Sequence, residues 1–143
     1  MRILIAEDDP ASRKFLYRFM SRYGDCDVTV DGMEAIEAFM LALEEGRGYR
    51  LVCLDIMMPN VDGIKALKSI RKLEQSKGIA GPDRCSVIMT TALNATDEIY
   101  EAFDSGSEAY AVKPIDTDRL LDVLKRLGLA ADETPEAQNG AEI

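Results

Sequence analysis

The chain has 143 residues, 47% hydrophobic and 30% charged, with 17 basic against 26 acidic side chains and a formal net charge of −9. That length fits one domain, and the acidic balance opposes non-specific binding to nucleic acid. Histidine is absent, which removes a histidine base, nucleophile or metal ligand and any phosphohistidine on this chain.

Ile3-Leu4-Ile5-Ala6 reads as a buried strand. Asp9-Pro10 follows as a helix start, Asp9 as N-cap and Pro10 in the first helical position. Phe15, Leu16, Phe19, Met20 and Tyr23 recur at helical spacing, and Gly24 is expected to stop that helix. Cys26 to Val30 alternates as a second strand. A second helix begins near Asp31-Gly32, carries Ile36, Phe39, Met40 and Leu43, and ends near Gly46. Leu51-Val52-Cys53-Leu54 is an unbroken apolar run, as in a strand buried on both faces, and it ends on one acid, Asp55. Ile64, Leu67 and Ile70 mark a third helix after Pro59 and Gly63. Gly78 to Asp83 is loop chemistry. Val87 to Thr91 is a fourth strand, Ile99, Ala102 and Phe103 a fourth helix, and Ala109 to Val112 a fifth strand. Asp116 or Thr117 caps a last helix with Leu120, Leu121, Leu124 and Leu127. Residues 129–143 are polar and acidic, and are expected to be a disordered tail after a domain spanning 1–128.

No apolar run approaches the roughly 20 residues of a membrane span. Met1-Arg2-Ile3-Leu4 lacks the features of a signal peptide. A cytoplasmic protein is therefore expected. Cys53 and Cys85 sit inside apolar runs and read as small core residues, and with Cys26 they form no C-x-x-C pair.

Five strands alternating with five helices predict an α/β fold, a doubly wound five-stranded parallel sheet with right-handed crossovers. In such sheets the working site lies beyond the carboxyl ends of the strands. Glu7-Asp8-Asp9 stand at the end of the first strand, Asp55 at the third, Thr90-Thr91 at the fourth and Lys113-Pro114 at the fifth. If the first and third strands are neighbours, Glu7, Asp8 and Asp55 converge, and three carboxylates in one pocket repel unless a cation joins them. A hard divalent cation such as Mg²⁺ suits oxygen ligands and welcomes a phosphate oxygen. Lys113 and Thr91 would suit a phosphoryl group. Taken singly, Glu7 and Asp8 read more readily as solvated loop acids, Asp9 as an N-cap, Thr91 as a strand-end hydroxyl and Lys113 as a surface lysine. Their joint arrival at one crevice favours the functional reading.

The stretches ILIAEDDPASR (3–13), LVCLDIMMPNVDG (51–63), VIMTTA (87–92) and AYAVKP (109–114) together resemble a response-regulator receiver domain of two-component signalling. The resemblance implies the strand order 2-1-3-4-5 and flavodoxin-like winding. It implies that Asp55 is the phosphoacceptor, taking a phosphoryl group from a partner sensor histidine kinase or phosphotransfer protein. Asp8 would ligate Mg²⁺ (or Mn²⁺) directly, Glu7 through a metal-bound water, and Met57 through its backbone carbonyl. Lys113, before a cis proline, and Thr91 would bind the phosphoryl group. Thr91 and Tyr110 would form the switch, changing a protein-binding face made by helix four, strand five and helix five. Met57 and Leu93 match the two positions that flank the path of the hydrolytic water.

About 16 residues follow the last helix. The expectation is therefore a stand-alone receiver, monomeric or dimerising on phosphorylation, that acts on a protein target and not on nucleic acid or membrane. It would assist its own phosphorylation and dephosphorylation without turning over a separate substrate. A haloacid-dehalogenase-type phosphatase would want an acid where Met57 stands, and a flavodoxin-like FMN site would be repelled by Glu7-Asp8-Asp9. A degenerate receiver, serving only as an unphosphorylated interaction module, is the alternative; it would usually lack one of Asp55, the acid pair or Lys113.

Overall fold

The computed structural model describes residues 1–92 and 96–131. In chain order the elements are β1 (Arg2–Ala6), α1 (Pro10–Met20), β2 (Asp25–Thr29), α2 (Gly32–Glu44), β3 (Leu51–Asp55), α3 (Gly63–Ser76), β4 (Ser86–Thr91), α4 (Thr96–Asp104), β5 (Ala109–Val112) and α5 (Thr117–Arg126). The predicted 76–83 loop holds a 3₁₀ turn, Gly81–Asp83. Leu93 and most of the predicted tail, residues 132–143, lie outside the described residues.

The strands form one parallel sheet in the order β2-β1-β3-β4-β5, the order that the resemblance implied. Every residue of β3 and β4 is buried, because helices cover both faces of the central strands. Leu4, Val52, Val87 and Met89 point to one face, where they meet Ala35 and Phe39 of α2 and Leu67 and Ile70 of α3. Ile3, Ile5, Cys53 and Ile88 point to the other, against Leu16, Phe19 and Met20 of α1 and Leu120 and Leu124 of α5. Cys53 and Cys85 are buried in these cores with thiol pKa values pushed up by burial, so both are inert packing residues.

Four helices start on an aspartate whose carboxylate accepts from a backbone amide one turn in: Asp9 from Ser12, Asp31 from Glu34, Asp62 from Lys65 and Asp116 from Asp118. Each such cap contributes about 1 kcal/mol. The last helix is thus capped by Asp116, not Thr117. Gly24 does not stop α1, which ends at Met20 with Ser21 as C-cap. A Cβ on Gly24 would lie 2.3 Å from the Met1 carbonyl oxygen, so glycine is needed there to let β2 approach the start of β1.

Candidate functional site

The register carries the strand ends to one level. Ala6 lies opposite Leu54, Asp55 opposite Thr90, and Thr91 opposite Val112. The chain therefore leaves β1, β3, β4 and β5 side by side, and the polar residues that follow the apolar runs meet above the sheet. Beyond β1, the Glu7 amide still donates to the Thr29 carbonyl at 3.1 Å, which holds Glu7 in the sheet. Glu7 is consequently fully buried, not the solvated loop acid that its local sequence suggests. Asp8, one residue on, is exposed. Arg13 of α1 donates to the backbone carbonyls of Glu7 at 3.0 Å and Asp8 at 3.3 Å, bracing the acid pair from behind.

Asp55, 4% exposed, closes β3. The Met57 amide donates to its Oδ1 at 3.3 Å. α3 begins so close that a Cβ on Gly63 would stand 2.1 Å from the Asp55 carbonyl oxygen, so the glycine of the Asp62-Gly63 pair is required by the approach of helix to strand. Asn60 takes a positive φ of 66° in this turn, a conformation that Asn tolerates, and its amide donates to Asp31 at 2.8 Å.

One carboxylate oxygen from each of Glu7, Asp8 and Asp55 lies within 4.8 Å of the others. The cation that reaches them is Lys113, half-buried after β5 and followed by a cis peptide bond to Pro114. Its Nζ donates to Asp55 Oδ2 at 3.0 Å and stands 2.8 Å from Glu7 Oε1. The second contact is ionic only. Among the described residues, that ion pair is the contact buried Glu7 Oε1 has, and it accepts no hydrogen bond. Glu7 Oε2 accepts from the Asp9 amide at 3.2 Å. Burial, then the neighbouring Asp55, push the Glu7 carboxyl up to about 7, with Lys113 pulling the other way. Burial works to lower the Lys113 ammonium, but its contacts with the Glu7 and Asp55 carboxylates outweigh that and hold it above the usual lysine range.

Of the predicted site residues, Glu7, Asp8, Asp55 and Lys113 are thus brought together. Met57 is adjacent through its backbone, while its side chain is 69% exposed. Thr91 is buried at the end of β4, and its hydroxyl donates to the Ala92 carbonyl at 3.3 Å and not to a carboxylate. Tyr110 sits at the far edge, 42% exposed, edge-on to Phe103 of α4 with ring centroids 5.8 Å apart. Sequence reasoning placed Thr90 at this strand end without giving it a role, and it missed Arg13. Thr90 lies level with Asp55, and its buried hydroxyl has no hydrogen-bond partner among the described residues. Arg13 had one legible signal, its place one turn after the Asp9 cap.

Comparison with known proteins shows the family. Residues 3–125 match the family model of the response regulator receiver domain. The chain is 32% identical over 143 residues to the DNA-binding dual master transcriptional regulator RpaA of Synechocystis, covering 99% of this chain and 55% of RpaA. It spans about half the length of curated relatives of this kind. A Francisella response regulator receiver domain superposes with a TM-score of 0.68 at 32% identity, covering 88% of this chain and 94% of that one. A CheX–CheY–BeF₃–Mg complex from Borrelia burgdorferi holds a chain that superposes with a TM-score of 0.74 at 26% identity, covering 88% of each. The chain belongs to the response regulator receiver domain family. Among the described residues no helix is long and apolar enough to cross a membrane.

Proposed function

We propose that this receiver accepts a phosphoryl group on Asp55 in a Mg²⁺-dependent reaction and signals through a protein-binding face that phosphorylation alters. The observation that supports it most is the charge balance of the pocket. Three acids converge, only Glu7 and Asp55 of them pair with Lys113, and among the described residues a buried oxygen of Glu7 has that ion pair and no hydrogen bond. A hard divalent cation fits that donor set, with Asp8 and Asp55 as carboxylate ligands, the Met57 carbonyl as a third, and Glu7 bonding a metal-bound water. Such an ion, when bound, neutralises the acids and draws charge from the phosphoryl oxygens. The similar Borrelia chain is held in a complex that contains both Mg²⁺ and BeF₃, a stand-in for a phosphoryl group.

This chain's own residues then divide the work. An Asp55 carboxylate oxygen attacks phosphorus, an acyl-phosphate P–O bond forms, and the bond to the donor breaks. The donor is a phosphohistidine of a sensor kinase or phosphotransfer protein, so the leaving imidazole keeps the electron pair and is protonated by solvent. Lys113 Nζ, already 3.0 Å from Asp55, receives a phosphoryl oxygen. The Thr91 hydroxyl exchanges its weak 3.3 Å bond to the Ala92 carbonyl for another phosphoryl oxygen. Its shift opens space towards β5, and the outward Tyr110 turns into it, altering the face formed by α4, β5 and α5.

The test is intact-mass analysis after incubation with acetyl phosphate. Wild type with Mg²⁺ gains one phosphoryl group; EDTA and Asp55→Asn each abolish the gain. Equal labelling of the Asp55→Asn protein would overturn the assignment.

A further inference from the structure

We propose that the outer face of α2 is a docking surface for a basic amphipathic helix of a partner protein. A helix that packs on a sheet by one face is expected to be polar on the other. α2 is not. Ala35, Phe39 and Ala42 are buried towards the sheet. Yet Met33 is 47% exposed, Met40 40% and Leu41 54%. At 100° per residue these three fall on the side away from Phe39, interleaved with Glu37 and Glu44. An isolated exposed apolar side chain means little. On the outer side of this 13-residue helix Met33 and the Met40–Leu41 pair alternate with Glu37 and Glu44, apolar and acidic positions in turn, and water covers the apolar ones at a cost.

The charges name the occupant. α2 contains no basic residue. Glu37 and Glu44 make no ion pair among the described residues. They are seven residues apart, about 10.5 Å along the axis. A partner helix with Lys or Arg at the same seven-residue spacing would meet both carboxylates and lay its apolar seam against Met33, Met40 and Leu41. A second copy of this face would set Glu37 and Glu44 against their own kind. α2 packs against β1 and β2 at the edge of the fold opposite β5, so its occupant would leave the α4–β5–α5 face free.

The test titrates the isotope-labelled chain with a synthetic helical peptide bearing leucines along one seam and lysines seven residues apart. Backbone NMR shifts are expected at Met33, Glu37, Met40, Leu41 and Glu44, with affinity falling as salt rises. Reversing two interfacial charges, Glu37→Lys with Glu44→Lys, should weaken the peptide about tenfold and favour a version with glutamate in place of lysine. Leu41→Gln should weaken it while its salt dependence stays the same. All these positions are exposed, and circular dichroism checks each fold; the charge reversal decides even where Leu41→Gln misfolds. Shifts centred on other acidic surfaces, equal binding of a scrambled peptide, or an unchanged affinity in the double variant would overturn the proposal. So would concentration-dependent shifts at these residues without peptide, which would make the occupant a second copy.

Discussion

Two clusters of buried charge stand at opposite ends of the sheet, and they are built differently. At the amino ends of the strands, Arg71 of α3 donates to Glu74 at 2.7 Å, to the Cys85 carbonyl at 2.9 Å, to the Gly106 carbonyl at 2.7 Å and to both oxygens of Glu108. Glu74, only 2% exposed, takes its second bond from the Cys85 amide at 2.7 Å. Glu108 accepts also from Arg84 and the Val87 amide. Each carboxylate oxygen there has a donor. At the carboxyl ends, Glu7 and Asp55 share one lysine, exposed Asp8 makes no ion pair among the described residues, and Glu7 Oε1 rests on its ion pair with Lys113 alone. The first arrangement is closed and ties α3 to the start of β4 and to the turn before β5. The second is more open, with Glu7 Oε1 held by an ion pair alone and Asp8 facing solvent.

Breaking each cluster at its cation should expose that difference. Arg71→Met strands buried Glu74, and a loss of about 3 to 5 kcal/mol is expected in urea unfolding. Lys113→Met should cost less below pH 7, because buried Glu7, its carboxyl already pushed up to about 7, takes up a proton instead of standing charged and unpaired. Mg²⁺ should recover the second loss and not the first. Equal losses, or equal rescue, would erase the distinction.

A finer prediction concerns the open pocket alone. On the proposed reading, Met57 and Leu93 would stand beside the path of the hydrolytic water, and both are apolar. Neither can hold a water by a strong hydrogen bond, so the acyl phosphate should be long-lived. Met57→Asn and Leu93→Glu should speed phosphate release several-fold, about 1 kcal/mol of barrier. An unchanged or slower release from the purified phosphoprotein would contradict this.

The two ends also differ in how far the sequence announces them. Asp55, Lys113 and the acid pair are legible because each follows an apolar run, and a parallel sheet must bring those ends together. The burial of Glu7 is not, since it depends on the bond from its amide to Thr29 on the neighbouring strand. The Arg71 network is illegible for the same reason carried further: Arg71 meets Gly106 and Glu108 at separations of 35 and 37 residues. Its residues have no periodicity that distinguishes them from a solvated helix face. Gly24 misled because a glycine after a helical pattern looks like a stop, whereas its role is a close approach to Met1. The starts of the first two helices were legible, since an Asp cap acts within four residues of itself, whereas the Asp62 cap of α3 went unread beside Pro59 and Gly63.

The claim that the open pocket is built for a divalent cation is tested most directly by calorimetric titration of Mg²⁺ into the unphosphorylated protein. Wild type should bind one ion. Asp8→Asn should lose that binding, because Asp8 is the exposed acid of the cluster and would face the ion directly. Arg71→Met, as far as it remains folded, should keep it. No binding to wild type, or undiminished binding to Asp8→Asn, would contradict the account.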